Sequence, residues 1–594
     1  MISLDWRHPR MSRAPLQPRS APDLRLRRRL LMLGLAVAFG ILTAGVFYRQ
    51  VIQNEFLQRE GEARYLRDAV IPARRGIITD RNGEPLAVST PVETVWCDPR
   101  RLVNQPDRII LLARTLDLDP AFLRDRIEAN RDKGFLYVKR RISLDEAQAL
   151  RSVIAKHRIE GIDFENEYRR FYPGAEVFAH VIGYTNIEDR GQEGIELAYD
   201  RILKAEPGLK RVIQDGRRRA VQEVEQVRPA RPGHDLALTL DRRLQYLAYR
   251  ELKAAVTEHR AKGGSLVVLD VASGEVLAMV NQPSFNPNSE RNSNPERRRN
   301  RTLTDLMEPG STLKPFVVAA ALETGVITPA SHFSTEPYTV AGNVVRDVHN
   351  YGTLDVTGII TKSSNVGAVK IAQKMSYETL WRLYDRLGFG HTTGIGFPGE
   401  SPGRLRHYST WRPFEHATHA FGYGLSVTPM QLAQAYLVLA ADGVKRPLTL
   451  LKRDPSMRPE SPSGVRILSR ETAQRLRAMM ETVVSEQGTA KLAMIPGYRA
   501  AGKTGTAKKS AGHAGYASNR YQSVFAGFVP AHQPHFVMVV MIDEPSAGEY
   551  YGGVVAAPIF QRVMEGALRL FNVPPDNPAP SMLLAAQHNQ GVKP

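Results

Sequence analysis

The sequence predicts an α+β protein in three parts: an N-terminal transmembrane helix, a mixed pedestal domain, and a domain with an antiparallel sheet flanked by helices. Three observations predict this. An apolar run without a charged side chain spans Leu30–Tyr48. Strand-pair signatures open and close the C-terminal half, at Ser265–Val280 and Ser523–Ile542. The region between those pairs is mostly helical in pattern. Strands early, helices in the middle and strands late fit one antiparallel sheet with helices packed on it.

The chain has 594 residues, more than one domain usually holds. Hydrophobic residues make up 42% and charged residues 24%, as in ordinary globular proteins. The formal net charge of +19 admits two partners: nucleic acid, or an anionic surface such as lipid headgroups or an acidic polymer. The charge is spread along the chain, and no zinc-finger or RNA-binding signature accompanies it, so the expectation is no nucleic acid. Cys97 is the single cysteine, which excludes an internal disulfide and a cysteine metal cluster. It follows Trp96 in a strand-like apolar stretch and reads as a structural residue.

Taken in order, residues 1–29 read as a basic cytoplasmic tail and 30–49 as the anchor. Nineteen helical residues span roughly 28 Å, close to the hydrocarbon thickness of a bilayer. Eight arginines and two aspartates precede the run, which places the N-terminus in the cytoplasm. A cleaved signal peptide is the alternative. The run is long for a signal core, no compact A-x-A site follows, and polar helical sequence (QVIQNEFLQREGEARYLRD) comes next, so an uncleaved anchor is expected. Residues 50–230 read as a pedestal or docking module. In it, Arg74–Thr90 reads as strand, turn, strand, with Asn82-Gly83 favouring a type I′ turn. Gly191–Leu203 reads as a turn entering a helix. From 235 to 570 the pattern sharpens. Asp241 is placed to cap a helix from Arg242 to about Glu258. SLVVLD (Ser265–Asp270) and EVLAMV (Glu275–Val280) form one hairpin, SVFAGFVP and HFVMVVMI (Ser523–Pro530, His535–Ile542) another. The tail, 571–594, is rich in Pro, Ala, Asn and Gln and is expected to be disordered.

Three short motifs carry the chemistry. In Ser311-Thr312-Leu313-Lys314, a helix starting near Pro309 sets Ser311 and Lys314 on one face. A serine hydroxyl needs a base to become a nucleophile, and a neutral lysine within reach is one. Such a lysine must have its pKa lowered by burial or by a nearby cation. Ser363-Ser364-Asn365 supplies a second serine to relay a proton and an amide to hold substrate and base. Ser284-Phe285-Asn286 has the same form but precedes the nucleophile, and the order rejects it. Lys503-Thr504-Gly505-Thr506 lies in a stretch, Ala500–Ala507, fit to be an edge strand that pairs with an extended peptide. Gly505 allows close approach. Lys503 offers charge to a carboxylate, and the backbone N–H groups of Ser311 and Thr506 make a candidate oxyanion hole. Each motif alone has a plainer meaning: a helix cap, a polar turn, a strand end. Together and in this order they form the signature shared by class A β-lactamases and penicillin-binding proteins.

The chain resembles the class B penicillin-binding proteins, and within them the division-specific (septal) type, from the anchor to about residue 570. The resemblance also rests on RGIITDRNGEPLA, NRTLTDLMEPGSTLKPF, GYGLSVTPMQLAQAY and EYYGGVVAAPIF. It implies a pedestal followed by a penicilloyl-serine transferase domain, and D,D-transpeptidation of stem peptides. Ser311 would attack the carbonyl between two terminal D-alanines, with Lys314 as base. Ser363 and Asn365 would serve proton transfer and positioning, and Lys503, Thr504, Gly505 and Thr506 would bind carboxylate and oxyanion. The implied partners are D-Ala-D-Ala stem peptides, β-lactams, the membrane, a glycan-polymerising membrane partner (FtsW-like) and other division proteins. The implied location is the cytoplasmic membrane, crossed once, with a periplasmic catalytic domain.

Several rivals compete with this reading. A class A lactamase needs a further glutamate for deacylation, and none was placed. A β-lactam sensor shares the fold. A D,D-carboxypeptidase is not excluded by the motifs, but the anchor and pedestal favour a transpeptidase. A non-catalytic division scaffold conflicts with three intact motifs as a sole role. No glycosyltransferase motif is recognised between residues 50 and 235. Glu415, His416 and His419 lack the i, i+4 spacing of a zincin helix, so neither a metal nor another cofactor is expected.

Overall fold

The computed structural model describes residues 25–56, 66–214, 220–289, 294–452, 464–510 and 516–577. Most of the expected cytoplasmic tail, the end of the polar helical stretch after the anchor, and the expected disordered tail from residue 578 on lie outside the described residues.

Arg25–Phe47 is one α-helix, continued by a wider helical turn at Tyr48–Ile52. None of its side chains is buried, and an 18-residue window within these 28 residues has a mean hydropathy of 2.4, which suits a bilayer crossing. The chain divides into two compact units. The first takes residues 1–71 and 209–229. Its described strands, Leu66–Ile71, Gly208–Gln214 and Ala220–Arg228, form a three-stranded sheet in that order. The second takes residues 72–208 and 230–594, so the stretch 50–230 is shared between the two units.

In the second unit, residues 72–208 are built on the long strand Pro85–Cys97, which pairs antiparallel with Leu136–Ile142 and with Ile162–Phe171. Helices Pro106–Thr115, Pro120–Glu128 and Leu144–His157 bury Leu112, Leu123, Ile127 and Leu150 in a small core of their own. Ser143 and Glu146 close a capping box at the start of the last of these. Cys97 is buried in that core, and burial pushes its thiol up to about 12, so it stays a neutral hydrophobe.

The Arg74–Thr90 hairpin differs from expectation. Gly83 N–H donates to Asp80 O at 3.2 Å and Asp80 N–H to Glu84 O at 2.8 Å, and only Gly83 takes positive φ, at 90°. This is a three-residue loop with a bulge glycine, not a type I′ turn. Asp80 Oδ1 explains it: it accepts the N–H groups of Asn82 and Glu84, at 2.7 and 2.9 Å, and holds Asn82 out of the left-handed region.

Two stretches that the sequence presents separately meet nearby. The Arg75 guanidinium donates to Glu196 Oε2 and Asp200 Oδ1, both at 2.7 Å, and Arg170 Nε donates to Glu196 Oε1 at 2.6 Å. The side chains of Arg75, Arg170 and Glu196 are at most 1% exposed. Burial works against the charge of Arg75, but Glu196 and Asp200 outweigh it and raise its pKa.

The larger core surrounds one five-stranded antiparallel sheet, in the order Val276–Gln282, Gly263–Asp270, Phe536–Asp543, Tyr516–Val529, Ala501–Ser510. Both expected hairpin pairs are neighbours in it, and Ala501–Ser510 is an edge strand as expected. Phe536–Asp543 and Val276–Gln282 are buried at every position, so helices must cover both faces. Helices Arg242–Glu258 and Ala557–Leu570 pack on the sheet and on each other. Pro429–Ala440 packs on the sheet with all twelve residues buried. Asp241 caps the first, accepting from the N–H groups of Arg243 and Leu244 at 3.0 and 3.3 Å.

Candidate active site

Gly310–Leu313 forms one 3-10 turn that runs into the α-helix Lys314–Glu323. A 3-10 turn eclipses positions i and i+3, so Ser311 and Lys314 share a face, though the turn is tighter than the α-turn expected there. The turn is wedged between two glycines. A Cβ on Gly505 would sit 2.9 Å from Pro309 O, and one on Gly422 would sit 2.0 Å from Gly310 O. Gly422 also has φ of 85°, and its carbonyl accepts from Gly310 N–H at 3.1 Å. From within the core, the buried Tyr436 hydroxyl donates to Thr312 O at 2.8 Å.

Ser363-Ser364-Asn365 lies between two helices, Val356–Lys362 and Asn365–Ala372. Ser363 takes a left-handed conformation with φ of 60°, and Ser364 caps the second helix through Gly367 N–H at 2.9 Å. The polar-turn meaning and the chemical one thus coincide. The positive φ turns Ser363 out of both helices, toward the lysines.

The two lysines are fully buried. Lys314 Nζ donates to Asn365 Oδ1 at 2.7 Å, to Ser363 Oγ at 3.2 Å and to the Ser363 carbonyl. Lys503 Nζ donates to the same Ser363 Oγ at 2.9 Å, and to Thr504 O and Oγ1 at 3.3 and 3.4 Å. Ser363 Oγ is therefore flanked by two ammonium positions, and no carboxylate pairs with either among the described residues. Burial lowers the pKa of Lys314 to about 7, against a smaller upward pull from Asp347. Burial also takes Lys503 well below its usual range, and the charge of Lys314 adds to the effect. Burial is the main cause of both shifts; the cation–cation effect foreseen from the sequence falls on Lys503.

Ser311 is half-buried, and among the described residues its Oγ makes no hydrogen bond and its N–H has no acceptor. Thr506 lies opposite on the edge strand, its Oγ1 accepting from Gly552 N–H at 3.0 Å. A Cβ on Gly552 would stand 2.4 Å from Gly505 O. Thr504 Oγ1 lies 3.0 Å from Thr489 Oγ1. Lys314, Ser363, Asn365, Lys503 and Thr504 thus form one hydrogen-bonded cluster, with Ser311 one turn before Lys314 and Gly505 against Pro309 at the start of that turn. Ser284 is elsewhere, its Oγ donating to Glu176 O at 2.7 Å. His416 and His419 are buried beside Trp411, with His419 stacked on its ring at 4.1 Å. Burial lowers the pKa of both, which suits packed neutral rings.

Two carboxylates in this region were missed. Asp347 accepts from Ser364 Oγ, Asn365 N–H and, at 3.0 Å, Val366 N–H, and so anchors the helix that carries Asn365. Glu308 accepts from Gly424 N–H at 2.9 Å and Tyr516 OH at 3.1 Å, and burial raises its pKa. Asp347 lies in a short irregular segment without periodicity and gives no local signal. Glu308 precedes the nucleophile by three residues, which was a usable clue.

A family model described as "Penicillin binding protein transpeptidase domain" matches residues 264–565, and one described as "Penicillin-binding Protein dimerisation domain" matches residues 70–238. The chain is 43% identical over 547 residues to peptidoglycan D,D-transpeptidase FtsI of Escherichia coli K12, covering 91% of each chain. It is 40% identical to the probable peptidoglycan D,D-transpeptidase PbpC of Pseudomonas aeruginosa, over 95% of this chain and 99% of that one. The TP domain of Burkholderia pseudomallei penicillin-binding protein 3 superposes with a TM-score of 0.53 at 43% identity, over 57% of this chain and 98% of that one. Fold and cleft together define a transpeptidase domain on a pedestal. The chain belongs to the penicillin-binding proteins.

Proposed function

We propose that this chain is a peptidoglycan D,D-transpeptidase of septal wall synthesis, working through an acyl-enzyme on Ser311 and inhibited by β-lactams. The observation that carries the mechanism is Lys314: buried, without a carboxylate, held by Asn365 and Ser363, and brought to a pKa of about 7 by burial. At neutral pH a large fraction of it is an unprotonated amine one turn from Ser311.

In the proposed cycle, Lys314 Nζ takes the Ser311 Oγ proton as Oγ bonds to the carbonyl carbon between two D-alanines. The backbone N–H groups of Ser311 and Thr506 receive the oxyanion; one such donor typically contributes about 3 kcal/mol. The C–N bond then breaks. Ser363, between the two lysines, passes a proton to the departing D-alanine amine, replenished from Lys314. Lys503, Thr504 and Thr506 take the substrate carboxylate, and Gly505 lets the peptide lie along the free edge of Ala501–Ser510. An acceptor amine attacks the ester, loses a proton to Lys314, and Ser311 Oγ leaves and is reprotonated.

The domain plan we propose keeps a pedestal over 50–230 and a transpeptidase domain over 235–570. The N-terminus is cytoplasmic and the catalytic domain periplasmic; the eight arginines before Leu30, where the apolar run begins, support this orientation. A glycan-polymerising membrane partner and other division proteins complete the proposal, since no glycosyltransferase motif is recognised between residues 50 and 235. Purification of the chain from membranes without any such partner would count against that part.

The central test is intact mass spectrometry of the full chain in detergent with benzylpenicillin, beside Ser311→Ala. One lasting adduct on the wild type alone is expected. Drug hydrolysis without an adduct would make the chain a β-lactamase, and no reaction of folded protein would leave a scaffold.

A further inference from the structure

Away from the catalytic cleft, a cavity of about 410 Å³ opens between the pedestal strands and the segment that leads into the catalytic turn. Its lining includes none of the residues of the cleft. Four arginines, Arg141, Arg169, Arg170 and Arg298, line it, and among the described residues no aspartate or glutamate does. Tyr184 and Phe285 add an aromatic lining, edge to face at 6.2 Å, with the Arg298 guanidinium 5.5 Å over the Tyr184 ring.

Two of these arginines, Arg141 and Arg170, are held with N–H groups that no hydrogen-bond acceptor takes up among the described residues. Arg170 is 4% exposed; Nε is bound to Glu196 and Nη1 lies 3.4 Å from Ser89 Oγ, but Nη2 has no acceptor among the described residues. Both Glu196 oxygens are already taken, one by Arg75 and one by Arg170. Arg141 takes a left-handed φ of 60° within its strand, a conformation that side chains other than glycine's rarely adopt. Its Nη2 is held by Ile187 O and Asp189 Oδ1, at 2.7 and 3.1 Å, while its buried Nε lies 3.9 Å from Glu167 Oε2 and has no hydrogen-bond acceptor among the described residues. The Arg169 side chain makes no ion pair among the described residues. A buried N–H without a protein acceptor is normally satisfied by water or by a bound group. The walls are set in advance. Asn288 exchanges two hydrogen bonds with the Tyr172 backbone, at 3.0 and 2.9 Å, and Tyr172 OH accepts from Thr185 N–H at 3.0 Å.

We infer that this cavity is a second ligand site, for an oxyanion carried on a molecule about the size of a sugar or dipeptide. A carboxylate or phosphate meets the arginine forks, and an apolar or ring face lies on Tyr184 and Phe285. Two sources share this chemistry: a carboxylate of a peptidoglycan fragment and a phosphate. The peptidoglycan source rests on the proposed function; the anion site does not. An occupant would touch both the pedestal and the chain leading to Ser311.

The test uses the full chain in neutral detergent after reaction with benzylpenicillin, so that the catalytic cleft is filled. The adduct mass checks the Ser311 mechanism independently of this site. Calorimetric titration with a disaccharide–tripeptide fragment and, separately, with inorganic pyrophosphate should give saturable binding of at least one probe; the probe that binds names the source. Binding should weaken as salt is raised and by ~10-fold or more in Arg169→Glu, whose exposed side chain is not needed for folding. Hydrogen exchange should slow at residues 184–189 and 285–289. No saturable binding of either probe, equal affinity in Arg169→Glu, or protection only elsewhere would overturn the inference.

Discussion

Around Arg75, two guanidiniums are buried with two carboxylates. Around Ser363, two ammonium groups are buried with none. In the first cluster each buried charge has an opposite charge within 2.7 Å, and the Arg75 pKa rises. In the second, both lysines lose their grip on a proton. Burial is similar; compensation differs. A compensated cluster stays charged and acts as a strut between distant segments, whereas an uncompensated cation becomes a base. The cleft accordingly does without the stabilising partner that the pedestal has, and its lysines are held by neutral oxygens that do not lock the proton in place.

The comparison is broken most severely by substituting one residue from each cluster. Lys314→Met removes the base and also a buried cation. β-Lactam acylation, followed with a fluorescent penicillin, should fall by roughly 10²–10⁴-fold, while the thermal midpoint stays level or rises. Acylation within a few-fold of wild type would mean that another group takes the Ser311 proton. Glu196→Ala should do the reverse. It leaves Arg75 and Arg170 buried around a lost carboxylate and should cost about 3–5 kcal/mol in denaturant melts, with the acylation rate per folded molecule little changed. A small stability loss would show that the pedestal cluster is not the strut described here.

A milder perturbation is pH. Lys314 works only unprotonated, and its pKa is about 7, so acylation should rise with pH through about 7 and flatten above it. Below that limb the rate should fall up to ~10-fold per pH unit, as the neutral fraction does. A limb near the ordinary lysine range would mean that burial of Lys314 is not the cause.

Much of this was legible in the chain, unevenly. The hairpins, the Asp241 cap and the edge strand followed from period-two patterns and local turn chemistry, which act over a few residues. The cleft was legible because three motifs name their residues outright. The convergence of Arg75, Arg170, Glu196 and Asp200 was not, although two of the stretches concerned, RGIITDRNG and GQEGIELAYD, were noticed. Nothing local says that charges more than a hundred positions apart are paired. The hairpin turn failed for a related reason: Asn82-Gly83 signals a type I′ turn, but the side chain of Asp80, two residues earlier, decides the loop. Asp347 was invisible because its role is to satisfy backbone N–H groups of a helix that follows it in the chain but whose start gives no sign of needing it.

Asp347 also offers the finest test of the comparison, because it is the nearest thing to a compensating carboxylate in the cleft. It binds the segment carrying Asn365, not Lys314 itself, and its charge pulls the Lys314 pKa up only in part. Asp347→Asn retains an acceptor oxygen for the Asn365 and Val366 N–H groups but removes the charge. With that upward pull gone, Lys314 should release its proton more easily. The acid limb of acylation should then move to lower pH by a fraction of a unit, as expected for one partly exposed charge, with the plateau rate changed only modestly. A limb that moves to higher pH would mean that Asp347 holds the cleft open mechanically and that its charge has no part in tuning the base. Were the limb to move by several units instead, Asp347 would be a true partner of Lys314, and the cleft would belong with the pedestal cluster after all.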